Sequence, residues 1–102
     1  MSVPSQRQLE KHIRESAGSS SNVVFTHHAQ QRMRQRYITA PMVMDALRMG
    51  KLALPPEPDM KHPGLNCRMQ RMVAGIHVAV VVYVEYPAPG LTVVTVIDVK
   101  KD

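Results

Sequence analysis

The sequence has few aromatic residues, a single cysteine and no long apolar segment. Its 102 residues include one Phe, three Tyr and no Trp, so protein rings on which nucleobases could stack are scarce. Cys67 has no partner for an internal disulfide, which suits a reducing compartment and excludes a disulfide scaffold. The sequence shows neither an uncharged apolar run of about eighteen residues nor a basic segment followed by an apolar one, so no membrane span and no secretory signal are expected. We therefore expect a soluble, cytoplasmic protein with no membrane partner.

The positive charge of the chain is concentrated in one segment. The net charge is +5, and residues 23–50 contribute +3 of it. Within this segment, the stretch from His27 to Tyr37 holds three arginines, two histidines and no acidic residue. A basic cluster favours anionic partners, nucleic acid first. The alternative is a solvated helix face that only aids solubility.

This basic stretch has the spacing of a helix. At about 100° per residue, Ala29, Met33 and Tyr37 share an apolar stripe, and His28, Arg32 and Arg36 form a row along its border. A helix packed by its apolar stripe would hold that row at the edge of the contact, where long side chains still reach solvent. The row is therefore a candidate site for binding an anion such as phosphate. The alternative is that these side chains make internal hydrogen bonds and only fix the helix to the sheet.

The first residues are predicted to form a separate arm. Residues 1–22 contain a helix of about three turns with only Leu9 and Ile13 as large apolar side chains, followed by a Gly-Ser-rich linker. We expect this arm to dock weakly or to extend to a partner, and to be dispensable for folding. Residues 23–102 are predicted to form a single α+β domain.

Two helices are predicted at the start of that domain. Residues 23–25 form a short strand or extended lead-in, and Thr26 is a good N-cap for the basic helix. Thr39 or Ala40 caps the second helix, and Pro41 suits its first turn.

A loop is predicted between the helices and the main strands. Gly50 ends the second helix, residues 51–54 form a brief edge strand, and prolines keep 55–64 irregular. Asp59 and His62 in this loop are spaced too irregularly for a metal motif, so no metal and no cofactor is expected.

The last third of the chain reads as an antiparallel meander. Three strands are predicted over 66–73, 76–86 and 91–99, with a tight turn at Ala74-Gly75. The middle strand is nearly all apolar, which indicates the centre of the sheet. The predicted fold is α+β, with an antiparallel sheet of three to four strands and two or three N-terminal helices packed on one face.

Alternation along the middle strand separates two faces. Val80 and Val82 are predicted to meet the helices and to be among the most buried residues. His77, Tyr83 and Glu85 lie on the other, more polar face, where they are candidates for the wall of a cleft. The alternative is ordinary cross-strand packing at a solvated sheet face.

The pattern HHAQQRMRQRYITAPMVMDAL, followed by a Pro-rich loop and a meander with a late Val-Thr-Val, resembles the DUF4258 family of small bacterial and phage domains. The resemblance covers about Phe25 to Val99, and the motif His28-Ala29-x-x-Arg32-Met33-x-x-Arg36 carries most of it. After Arg36 the family often has Gly, where this chain has Tyr37. By this resemblance the fold would be similar to the small toxins of the RelE and BrnT type, whose wider group contains metal-independent ribonucleases.

A ribonuclease of this type needs a base, an acid and positive charge on the reacting phosphate. His28 could exchange the proton, Arg32 and Arg36 could clamp phosphate oxygens, and His77 or Tyr83 could be the second proton carrier. The expected partners are RNA or another anionic polymer, a small antitoxin or immunity protein, and a second copy of the chain as a homodimer. The alternatives are a non-catalytic nucleic-acid or protein-binding module and an accessory role in a phage or mobile element.

Overall fold

The structure, a computed structural model, describes residues 4–102. These residues form an α+β fold, as predicted, and no helix among them has the length and apolar character needed to cross a membrane. The helices are α1 (Gln6–Ala17), α2 (His27–Arg36) and α3 (Ala40–Met49), and the strands are β1 (Val23–Phe25), β2 (Lys51–Leu52), β3 (Glu57–Pro58), β4 (Leu65–Val73), β5 (Ile76–Val84) and β6 (Leu91–Asp98).

The strands form one mixed sheet with the order β1-β6-β5-β4-β2, and β3 also pairs with β4. All pairs are antiparallel except β1 and β6, which run parallel. The predicted sheet of three to four strands was therefore too small, and its purely antiparallel order was wrong. Strands as short as β1 and β3 show no periodicity, and a parallel pair requires a long crossover that leaves no local signal.

The meander of the three long strands confirms the sequence prediction. Strand β5 lies between β4 and β6, and both of its neighbours are antiparallel to it. The turn between β4 and β5 consists of Ala74 (φ 51°) and Gly75 (φ 79°). Two consecutive positive φ angles are typical of the two-residue turns whose twist matches that of a hairpin.

The faces of β5 also follow the predicted alternation. Val80 and Val82 are fully buried in the hydrophobic core beneath the helices. His77 and Tyr83 lie half-buried on the opposite face. Because one face of the central strand carries the core, the other is left to carry polar side chains.

The prediction that the N-terminal arm docks weakly is wrong. Leu9 and Ile13 of α1 are fully buried and belong to the same core as the sheet. Two guanidinium groups fix the helix to α3: Arg14 donates to the carbonyl oxygen of Gly50 at 2.9 and 2.6 Å, and Arg48 Nε donates to that of Ala17 at 2.7 Å. These contacts depend on the tertiary position of α1, so its sparse apolar pattern could not reveal them.

The predicted helix signals of the domain are confirmed. The Thr26 side chain accepts from the backbone N–H of Ala29 and caps α2. Thr39, rather than Ala40, caps α3, and Pro41 occupies its first turn. These local signals fix where α2 begins, and hence where its basic side chains lie.

Candidate functional site

Helix α2 is fixed on the sheet by its first turn. The Thr26 hydroxyl donates to the carbonyl oxygen of Val94 in β6 at 3.1 Å, and the Thr26 N–H donates to that of Val93 at 3.1 Å. Ala29, one turn further, is fully buried. The helix therefore presents a defined edge to the end of β6, and Arg32 and Arg36 lie along that edge.

Arg32 and Arg36 hold the carboxylate of Asp102 between them. Arg32 Nη2 donates to Asp102 Oδ2 at 2.5 Å, and Arg36 Nε donates to Asp102 Oδ1. The two arginine side chains retain 27% and 28% of their exposure, so they are partly desolvated yet open to solvent. We call Arg32 and Arg36 the arginine clamp. One oxygen is bound by each guanidinium, an arrangement that can hold an oxyanion.

The turn after β6 positions Asp102. Its N–H donates to the carbonyl oxygen of Asp98 at 2.8 Å, and the N–H of Lys101 donates to the same oxygen at 3.0 Å. Partial desolvation raises the pKa of the Asp102 carboxyl. The hydrogen bonds and charges of Arg36 and Arg32 outweigh this, so its pKa lies below the ordinary value. The residue is therefore an anion at neutral pH.

The end of α2 opens onto a small cavity of about 270 Å³. Arg36 and His77 both line it, so the structure brings two of the predicted site residues to one place. Lys100 and Lys101 line it as well. The ring of His77 is hydrogen bonded through Nε2 to the side chain of Gln70 at 3.0 Å. The cavity thus combines three cationic side chains and His77 with one acidic residue, Asp98.

His28 lies one helical turn before Arg32, as the spacing predicts, and its ring is exposed. Within residues 4–102 no hydrogen bond to this ring is formed. Its separation from Arg36 along the helix axis is about 12 Å, eight residues at ~1.5 Å each. His28 therefore flanks the arginine clamp at the end away from His77.

Tyr83 is not part of this cluster. It lies six residues beyond His77 on β5, a distance of about 20 Å along a strand. Its hydroxyl donates to Glu85 at 2.6 Å and accepts from the N–H of Gly64 at 2.9 Å. Burial, followed by the hydrogen bond to Glu85, raises the pKa of Tyr83. The structure thus places Tyr83 in a different cleft, which it shares with His62.

Cys67 does not belong to either cluster. Its side chain is buried in the core on β4. Burial raises the pKa of its thiol to about 11. The nucleophilic thiolate is therefore scarce at neutral pH.

A comparison with family models gave a match over most of this chain. The model described as "Domain of unknown function (DUF4258)" matches residues 25–98. The chain belongs to the DUF4258 family. Comparison with curated proteins and with solved structures gave no match. The similarity to RelE and BrnT type toxins therefore stays a prediction.

The segment that matches the DUF4258 model contains only part of the candidate site. His28, Arg32, Arg36 and His77 lie inside the matched segment. Asp102 lies beyond it, as do the two lysines that precede it. The arginine clamp is thus a feature of the DUF4258 segment, and the carboxylate that it holds comes from outside.

Sequence reasoning missed the residues contributed by the chain end. The sequence pattern assigned no role to Lys100, Lys101 and Asp102, which follow the last predicted strand. Asp102 is instead 70 residues away from Arg32 in sequence and in contact with it. No periodicity links positions so far apart. The single available signal was an acidic residue next to two lysines, which is too common to be informative.

Proposed function

We propose that this protein binds the phosphate backbone of RNA through Arg32 and Arg36. The observation that carries the proposal is the carboxylate of Asp102, an oxyanion held with one oxygen on each guanidinium. A phosphodiester also presents two non-bridging oxygens that share one negative charge. It can therefore take the place of the carboxylate on the same donors. RNA is chosen as the polymer because the similarity to toxin-type ribonucleases implies it.

The charge around the clamp supports a polymeric ligand. Lys100 and Lys101 line the cavity beside Arg36, and Arg34 is exposed on the same helix. Neighbouring phosphates of one strand can each meet one of these cations. Each such contact releases counterions, which strengthens binding at low salt.

Binding requires fewer groups than cleavage, and the geometry supports binding better. Attack of a ribose 2′-hydroxyl needs a base and an acid on opposite sides of one phosphate. His28 is exposed and near Arg32, but His77 lies beyond Arg36 with its ring bonded to Gln70. The two histidines therefore lie at opposite ends of the arginine clamp. Tyr83 is in another cleft. For these reasons binding is the proposed function.

Asp102→Asn should raise the affinity for RNA. The carboxylate occupies the arginine clamp and competes with phosphate, whereas the amide of Asn has no charge. Because two partly exposed ion pairs no longer compete with RNA, the affinity for RNA should rise roughly three- to tenfold. The measurement is fluorescence anisotropy of a labelled 12-residue single-stranded RNA at fixed salt.

Asp45→Asn is the matched control for this experiment. Asp45, on α3, pairs with Arg71 at 2.7 Å, and its substitution changes the net charge equally. A general charge effect would raise the affinity of both variants alike. Equal gains, or no gain from Asp102→Asn, would contradict competition at the clamp.

A further inference from the structure

Tyr37 has an unusual position for an aromatic residue. The prediction that it belongs to the apolar stripe of the basic helix is wrong, because it directly follows α2 and 84% of its surface is exposed. Its backbone is left-handed, with φ 56° and ψ 37°, a conformation that side chains with a Cβ rarely adopt. Its N–H donates to the carbonyl oxygen of Met33 and closes the helix. The ring is therefore held out in solvent on a defined, hydrogen-bonded turn.

Tyr37 lies at the boundary of two concave surfaces. On one side is the cavity lined by Arg36, Lys100 and Lys101. On the other is a groove of about 600 Å³ with a mainly apolar lining that includes Phe25 and Met33. Tyr37 lines both, so it connects a cluster of cations to an apolar surface.

The rim of this groove, which we call the Tyr37 groove, also carries polar donors. Gln30 and Arg34 line it together with Phe25, Met33 and Tyr37. A guanidinium and an amide can donate hydrogen bonds to the edge of a base, and an exposed ring can stack on its face. Cationic side chains, an exposed aromatic ring and hydrogen-bond donors thus lie around Tyr37.

We propose that the Tyr37 groove is a base-binding subsite for single-stranded RNA. The inference rests on the proposed function, since the phosphates of the same strand occupy Arg36 and the two lysines beside it. An unpaired nucleotide presents its phosphate and its base together. The cations that suit the phosphate line the cavity next to Tyr37, and the side chains that suit the base line the Tyr37 groove. In a duplex both faces of the base are stacked, so duplex RNA would not use the groove.

Tyr37→Gly tests the subsite without straining the fold. Glycine adopts φ near 56° freely, so the turn after α2 should be preserved, and a thermal melt checks this. Two probes are used: 12-residue oligouridylate, and inorganic polyphosphate of similar charge, which has no bases. The variant should lose about tenfold in affinity for oligouridylate, with less than a twofold change for polyphosphate. Tyr37→Phe retains the ring and should bind both probes like the parent.

A spectroscopic readout reports stacking directly. The sequence has no Trp, so Tyr37→Trp introduces a single tryptophan at the groove, which can be excited selectively over the remaining tyrosines. Its emission should be quenched by oligouridylate and not by polyphosphate or by duplex RNA of equal length. Equal quenching by polyphosphate would contradict the proposal that a base stacks at position 37.

The possible failures are distinguishable. If Tyr37→Gly leaves oligouridylate binding unchanged, or weakens both probes alike, the subsite is wrong. In the first case the groove would be free for a protein partner. If Arg32→Ala/Arg36→Ala binds both probes like the parent, the proposed function itself is wrong.

Discussion

Val82→Asp is expected to lower the free energy of unfolding by about 4 kcal/mol or more, the scale of an unpaired buried charge. Val82 is fully buried in β5, opposite Cys67 of β4 and Val93 of β6. None of these neighbours can pair with a carboxylate. Small domains are stable by only about 5–15 kcal/mol, so much of the protein should be unfolded. Urea denaturation followed by far-UV circular dichroism measures the loss.

Val81→Asp is the matched control on the same strand. Val81 is half-buried on the other face of the sheet, in register with Arg68 of β4 and Thr95 of β6. An aspartate there lies beside a guanidinium and near solvent, so its cost should be much smaller. A larger loss for Val81→Asp than for Val82→Asp would show that the two faces are assigned the wrong way round.

The double substitution Leu9→Ala/Ile13→Ala should cost about 4 kcal/mol or more, since each buried truncation typically costs ~2–5 kcal/mol. Both side chains are fully buried in the common core, although they lie in the arm that sequence reasoning treated as dispensable. The same urea titration measures the effect. Arg7→Ala/Lys11→Ala changes two exposed positions of the same helix and should be nearly neutral. If both doubles unfold like the parent, α1 is not part of the core.

The parts of the fold that could be predicted are those with local signals. Continuous apolar sequence indicated that β5 is central, and Thr26 and Ala74-Gly75 marked a helix start and a hairpin turn. Each of these depends on residues within one element or one turn. The parallel partner of β1 lies 66 or more residues away, and nothing in three apolar residues specifies it. The role of α1 was missed for the same reason, because burial depends on which surface covers it.

In the candidate site, too, the residues with a local signal were predicted and the contact between distant residues was not. Helical spacing predicted the row of His28, Arg32 and Arg36, and α2 does form. The oxyanion that occupies the row comes from Asp102, which no pattern connects with it. His77 and Tyr83 were correctly predicted to share one face of β5. They lie about 20 Å apart along that strand, however, and therefore do not form one site. Sequence periodicity indicates which direction a side chain points and carries no information about which element it meets.

The measurement that tests phosphate binding at the clamp most directly is the salt dependence of RNA affinity. The slope of log affinity against log salt concentration is measured for the parent and for Arg32→Ala/Arg36→Ala with the 12-residue single-stranded RNA. Two lost phosphate contacts should reduce the slope by about 1.4, at ~0.7 per contact on a single strand. Arg7→Ala/Lys11→Ala removes the same charge from α1 and should leave the slope nearly unchanged. Equal slopes for the parent and the clamp variant, or equal reductions in both double variants, would contradict binding of RNA phosphates by Arg32 and Arg36.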